Sequence, residues 1–281
     1  MPPPATTAEK EELLVLRNTE KDVRRGADAQ TQPPVFTDKV AERQYLKERL
    51  AAAFRIFAKH GFDEGVAGHI TVRDPIDPDT FWVNPFGTHF SLITASQLLH
   101  VDHTGRILTD SGPVRNLNQA AFAIHSSIHA ARPDVLCAAH AHSMYGRAFC
   151  ALHKELDMIT QDSCAFFEDH VVFREFNGVV MQTEEGAKIA KALGGRKAAL
   201  LGNHGILTTG RSIESCVFWF LSMEKCCKTQ LLADAAGTTV KIGEEEARGT
   251  FKVVGTEVAG WFSGCPLFDV VDRETKGEHK L

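Results

Sequence analysis

An apolar run, Val135-Leu136-Cys137-Ala138-Ala139, passes directly into His140-Ala141-His142-Ser143, and no other stretch constrains the fold of this chain so tightly. Five consecutive apolar residues after the turn signal Arg132-Pro133-Asp134 read as a buried strand. Side chains alternate faces along a strand, so positions i and i+2 project the same way and both imidazoles can reach one ion. Thirteen histidines in 281 residues would give about half a His-x-His pair by chance, so the spacing needs company. It has some in the run Ala198 to Leu207, which reads as a second strand and carries His204 between Gly202 and Gly205. A core position there would ordinarily hold Val or Ile. His140, His142 and His204 are therefore the candidate ligands of a zinc-type or iron-type site.

With 43% hydrophobic and 24% charged residues, the chain can bury a full core as one domain. A net charge of −5, with no Lys/Arg stripe interleaved with aromatics, argues against nucleic acid as a partner. The N-terminal Met1-Pro2-Pro3-Pro4-Ala5 has no charged and apolar leader pattern, and no apolar run is long enough to span a bilayer. A cytoplasmic protein acting on a small molecule, away from membranes, is expected. The seven cysteines are odd in number and form no Cys-x-x-Cys pair, which points to free, mostly buried thiols.

Residues 1–36 are rich in Pro, Thr and charge and read as a flexible tail, with a short helix around 11–19. Thr37 is the expected N-cap of a helix that buries Leu46, Leu50, Phe54 and Phe57 and closes at Gly61. Strands are expected at 69–72, 81–83, 105–108, 135–139, 171–173, 179–181 and 198–207. Helices are expected at 117–131, 143–152, 184–193 and after Ser212, where Phe218, Leu221, Lys225 and Leu232 keep turn spacing. Mixed strands and helices without a strict β-α-β period favour a single-domain α/β/α sandwich with a mostly antiparallel sheet. The domain is expected to span 37–265, with a C-terminal tail at 266–281.

Taken together, these residues resemble the class II aldolase/adducin family over about 37–265. The ordered motifs are Gly65-Val66-Ala67-Gly68-His69-Ile70-Thr71-Val72-Arg73-Asp74-Pro75, Trp82-Val83-Asn84-Pro85-Phe86-Gly87, the His140-Ala141-His142-Ser143 segment, and Gly202-Asn203-His204-Gly205. The resemblance implies a sheet flanked by helices, a divalent metal, Zn or Fe(II), on His140, His142 and His204, and a homotetramer. It also marks Gly68, His69 and Asn84 as substrate-binding candidates, the glycines Gly65 and Gly68 before His69 letting a backbone loop come close to a ligand. The sugar-phosphate aldolases keep a glutamate some nineteen residues before the first metal histidine, where this chain has Ala121. Asn118, Gln119 and Ala120 replace their phosphate-holding serines, and His69 stands where they often carry Asn. These departures are similar to the adducin-type branch and disfavour a phosphorylated sugar.

With that glutamate absent, the segment from Gln161 to His170 is the densest source of a proton carrier, and Asp162, Glu168 and His170 are the catalytic candidates. His125 and His129, four apart on a helix, are read as packed and hydrogen-bonded imidazoles. His60, His89, His100, His103 and His153, beside turns or helix ends, are read as surface or supporting groups. Three functions are compatible with this pattern: a divalent-metal lyase of aldolase or decarboxylase type on a non-phosphorylated oxo or hydroxy compound, a non-haem iron oxygenase using the same ligands, and a non-catalytic adducin-like scaffold.

Overall fold

A computed structural model describes residues 32–176, 178 and 183–281; the expected helix at 11–19 and strand at 179–181 lie outside them. Helix α1 (Lys39–Lys59) starts one residue later than expected: Asp38, not Thr37, accepts a hydrogen bond from the Val40 N–H. An aspartate also suits the positive N-terminal end of a helix. Leu46, Leu50, Phe54 and Phe57 are buried, and Gly61, at φ +72°, turns the chain away.

Seven strands form one sheet in the order β3-β2-β1-β4-β7-β6-β5. They are β1 (His69–Arg73), β2 (Thr80–Val83), β3 (Leu99–Asp102), β4 (Cys137–Ala141), β5 (His170–Phe173), β6 (Ala198–Leu201) and β7 (Gly205–Gly210). All neighbours pair antiparallel except β5 and β6. Two expectations are corrected. Residues 105–108 contribute only an isolated bridge from Ile107 to Val101, and the edge strand is β3, whose His100 is buried and bonds to Thr80 and Asp110. The run 198–207 is two strands, because Gly202-Asn203-His204 makes a hairpin turn with Asn203 at φ +54°.

Alternation sorts the strands between two helical layers. Ile70 and Val72 of β1, Ala139 and Ala141 of β4, and Ile206 of β7 pack with α1, α5 (Ile213–Ala236) and α7 (Glu257–Thr275). Leu207, Ala199, Leu201 and Phe173 face the other side, against Ile124 and Ile128 of α2 (Gln119–Ala131) and Ile189 and Leu193 of α4 (Thr183–Leu193). The molecule is thus the expected α/β/α sandwich around a mostly antiparallel sheet. Between β4 and β5 lies the short α3 (Met144–Cys150), and α6 (Glu244–Val254) precedes α7.

Ser212 caps α5, its hydroxyl accepting from Ser215 N–H at 3.1 Å. This helix is buried on most sides of its first half, while Leu232, expected on the packed face, is exposed. The boundary expected at residue 265 falls inside α7. There Gly260 and Gly264 let α7 approach α5 so closely that a Cβ would lie 2.3 Å from the Trp219 ring or 2.4 Å from the Glu214 carbonyl oxygen. Beyond the boundary Phe268 and Val271 are buried, His279 is 1% exposed, and the Leu281 carbonyl accepts from Ser96 N–H. Residues 266–281 are therefore packed, not a tail. Six of the seven cysteines are buried and all seven are free. No described helix is long and apolar enough to cross a membrane.

Candidate metal centre

Strand register and one tight turn bring the three histidines together. His140 lies at the end of β4, opposite His69 of β1 and Leu207 of β7, and His142 is one residue beyond the strand. His204 closes the hairpin between β6 and β7, which folds back beside β4. One nitrogen from each lies within 4.8 Å of the others, and the ring centroids are 4.6–5.1 Å apart. Gly205 makes this possible, since a Cβ there would meet the Ala141 carbonyl oxygen at 2.6 Å and carbons of the His140 and His142 rings at 3.3 Å.

The donor set fits a divalent cation. His140 is 2% exposed, and its Nδ1 lies 2.8 Å from the Ile206 carbonyl oxygen. A carbonyl can only accept, so Nδ1 donates and the Nε2 lone pair is left for a ligand bond. Burial first, then the neighbouring imidazoles, hold His140 well below the ordinary histidine range. Burial and His142 bring His204 down to about 4, and burial followed by the Arg147 charge lowers His142. All three rings are therefore neutral at pH 7, the form that binds metal. Three neutral nitrogens would leave a bound divalent ion its full charge and room for a further ligand, the chemistry of catalytic rather than closed structural sites.

The backbone leaving His142 is held by a residue that the sequence does not point to. The buried carboxylate of Glu224, on α5, accepts from Ser143 Oγ at 2.6 Å, Tyr145 N–H at 2.9 Å and Gly146 N–H at 2.6 Å. It caps α3 from across the core and fixes the chain between His142 and the helix. Glu224 is 82 positions from His142, and no local spacing signals such a partnership.

The cluster opens into a cavity of about 920 Å³. Its walls include Phe86, Ile124, Met144, Ala148 and Phe176, and no carboxylate is among the described lining residues. His69 and Gly68, two of the substrate-binding candidates, both line it, Gly68 at φ +96° with a Cβ position 3.3 Å from the His140 carbonyl oxygen. His69 is 3% exposed, its ring 4.2 Å from that of His125 and 5.0 Å from that of His140. Behind it the Thr71 hydroxyl bridges His125 Nδ1 at 2.7 Å and His129 Nε2 at 2.8 Å, the packed and bonded state expected of those two imidazoles. Asn84 is buried, its Oδ1 has no hydrogen-bond partner among the described residues, and it does not line the cavity.

The three proton-carrier candidates are not brought to this cavity within the chain. Glu168 is exposed and forms a two-pronged ion pair with Arg248, which lowers its carboxyl pKa. Asp162 borders a separate cavity with Ser222 and Lys225. His170 has both nitrogens committed, Nδ1 donating to the Phe166 carbonyl at 2.8 Å and Nε2 accepting from Leu156 N–H at 3.1 Å. Sequence proximity gathers these residues, but the fold disperses them, Glu168 to Arg248 of α6, Asp162 to a separate cavity and His170 to backbone partners at Phe166 and Leu156.

Against known proteins, the family model described as Class II Aldolase and Adducin N-terminal domain matches residues 48–231. The chain belongs to the class II aldolase and adducin family. Within it, the chain is 47% identical to decarboxylase NovR of Streptomyces niveus over 87% of its own length and 90% of the relative's. It is 46% identical to the 4-hydroxy-3-prenylphenylpyruvate oxygenase/4-hydroxy-3-prenylbenzoate synthase of Streptomyces roseochromogenus subsp. oscitans, covering 87% and 88% of the two chains. Among solved structures, that of L-fuculose 1-phosphate aldolase from Glaciozyma antarctica superposes with a TM-score of 0.84 at 48% identity, covering 91% of this chain and 99% of that one. Close relatives in this family are thus named as enzymes.

Proposed function

We propose that this protein is a divalent-metal enzyme that breaks a carbon–carbon bond in a small non-phosphorylated oxo or hydroxy acid, with decarboxylation the favoured reaction. The observation that carries this reading is the cluster of three neutral imidazoles at a cavity with no carboxylate among its described lining residues. Zn(II) or Fe(II) held by His140, His142 and His204 would supply Lewis acidity toward a carbonyl or carboxylate oxygen and stabilise developing enolate charge. An aldol reaction needs a base to form its enolate. Loss of carbon dioxide from a 3-oxo acid leaves the enolate's electron pair directly, so a cavity whose described lining residues include no carboxylate favours it. The residues of the chain bind and orient: His69 and Gly68 contact the substrate beside the ligand cluster, and the apolar walls exclude water. Glu168, Asp162 and His170 are not assigned the proton in this reading. A phosphate ester is disfavoured, because its dianion calls for several donors and these walls are largely apolar. A cytoplasmic homotetramer, as the resemblance implies, belongs to the same proposal.

The test is metal analysis of the purified protein, followed by carbon dioxide release from aryl and alkyl 3-oxo acids before and after chelation. Turnover that disappears with the metal and returns with Zn(II) or Fe(II) is the expected result. Full turnover without metal, or turnover of L-fuculose 1-phosphate alone, overturns the proposal. The oxygenase-named relative favours a second reading, an Fe(II) oxygenase using the same three ligands. Stoichiometric zinc in aerobically purified protein, with no oxygen uptake after anaerobic Fe(II) loading and addition of an aryl oxo acid, would remove it.

A further inference from the structure

We propose that Arg147 is the carboxylate anchor of this cavity and selects acids with an apolar body, a deepening that rests on the metal-enzyme reading above. Arg147 is the one formally charged side chain at neutral pH among the described residues that line the cavity. It lies on α3, five residues after His142, and its charge acts on that imidazole. An anion reaching the histidine cluster therefore enters a cavity that the guanidinium also lines. A guanidinium presents five N–H donors in a planar fork that matches a carboxylate two-to-two.

The placement is prepared from behind. Nη2 of Arg147 donates to Glu64 Oε1 at 2.7 Å, and the Arg147 side chain stays 48% exposed. Glu64 stands just before the glycine loop that ends at Gly68, so this pair joins the loop to α3, both of which contribute residues to the cavity lining. The other Glu64 oxygen, Oε2, is buried with no hydrogen-bond partner among the described residues, and burial raises the Glu64 pKa ahead of the lowering by Arg147. A carboxylate left so poorly satisfied serves to orient the guanidinium rather than to hold it shut. Phe86 and Ile124 line the same cavity, as do the exposed Met144 and Phe176. One fork for one carboxylate, set among apolar walls, suits an aryl or alkyl oxo acid.

The experiment measures binding by titration calorimetry on Zn(II)-loaded protein, with benzoylformate, a 2-oxo acid that serves as a stable stand-in for the labile 3-oxo acids, and with acetophenone, in which a methyl group replaces the carboxylate. Replacing Arg147→Met should weaken benzoylformate roughly tenfold to a hundredfold, the usual range for a charge-assisted bond, and leave acetophenone unchanged. Arg147→Lys, which keeps the charge without the fork, should fall between. The thermal midpoint of each variant, expected to match wild type for a half-exposed residue, separates lost anchoring from lost folding. Wild-type-like benzoylformate binding in Arg147→Met, abolished by chelation, overturns the Arg147 assignment and leaves the metal reading standing. Binding indifferent to chelation yet lost in Arg147→Met overturns the metal reading and keeps the anchor. Binding of neither compound by wild type overturns both.

Discussion

Removing the Glu224 carboxylate tests whether a distant side chain fixes the metal ligand set. In Glu224→Ala, three donors lose their acceptor at once: the Ser143 hydroxyl and the N–H groups of Tyr145 and Gly146. A hydrogen bond to a charged group contributes about 1.5–3 kcal/mol, but the three share one carboxylate and a water can enter the space left, so about 3–5 kcal/mol is expected. Glu224→Gln is milder, about 1–3 kcal/mol, because its amide oxygen can keep the position that takes two bonds, while its NH₂ then faces the Tyr145 N–H, donor against donor. Urea unfolding of the metal-free proteins reads these losses, and the domain survives them if its stability lies in the usual range of about 5–15 kcal/mol. The second readout is metal affinity by chelator competition. Loosening residues 143–146 frees His142, and the loss of a supporting partner of this kind typically weakens affinity about 10–100-fold. A Glu224→Ala protein that loses stability but keeps wild-type metal affinity would show that His142 is positioned without this cap. One that keeps both would refute the hydrogen-bond reasoning altogether.

Three further outcomes are expected from the packing and the buried imidazoles. Gly205→Ala places a Cβ 2.6 Å from the Ala141 carbonyl oxygen, forcing β4 and β7 apart beneath His140; a loss of about 1–3 kcal/mol in urea unfolding, with weakened metal binding, is expected, and unchanged values in both would contradict it. Ending the chain at residue 265 strips the buried Phe268 and Val271 from the core, at about 3–5 kcal/mol for the two, and should leave a chain that unfolds at far lower urea or aggregates; a truncated protein with the wild-type midpoint would restore the tail reading. Metal-free protein should lose stability in acid: burial, then the Arg73 charge, takes His129 down to about 3 in the folded state against about 6.5 unfolded, so the unfolded chain binds the extra proton between those values. Stability from this group is whole above about pH 6.5 and declines as pH falls toward 3, and urea midpoints that stay flat from pH 7.5 to 4.5 would show that the imidazole is already charged in the fold.

How much of the molecule is legible in its sequence depends on how local the determining physics is. The His-x-His strand end is legible because strand alternation acts over two residues, and α1 because four apolar side chains repeat on one face. His204 stands out for a sound reason, an imidazole where a core position wants Val or Ile, though its run reads as one strand; the Gly202-Asn203 turn that breaks it places the ring better than a continuous strand could. The failures share a cause. Asp162, Glu168 and His170 are neighbours in the chain, yet each is captured by surroundings that sequence does not expose, such as Arg248 for Glu168, 80 residues away. Glu224 and Arg147 escape a reading of the sequence for the converse reason: they are ordinary charged residues on helices that acquire roles only when α5 crosses α3 and α3 meets the glycine loop. The candidate ligands are thus readable from short-range pattern, while the groups that orient them and any acid bound beside them arise from tertiary contacts alone. A search for further determinants of substrate choice should accordingly begin at residues 64–68 and 144–151, where helix and loop meet beside the cavity, rather than in the segment after Gln161.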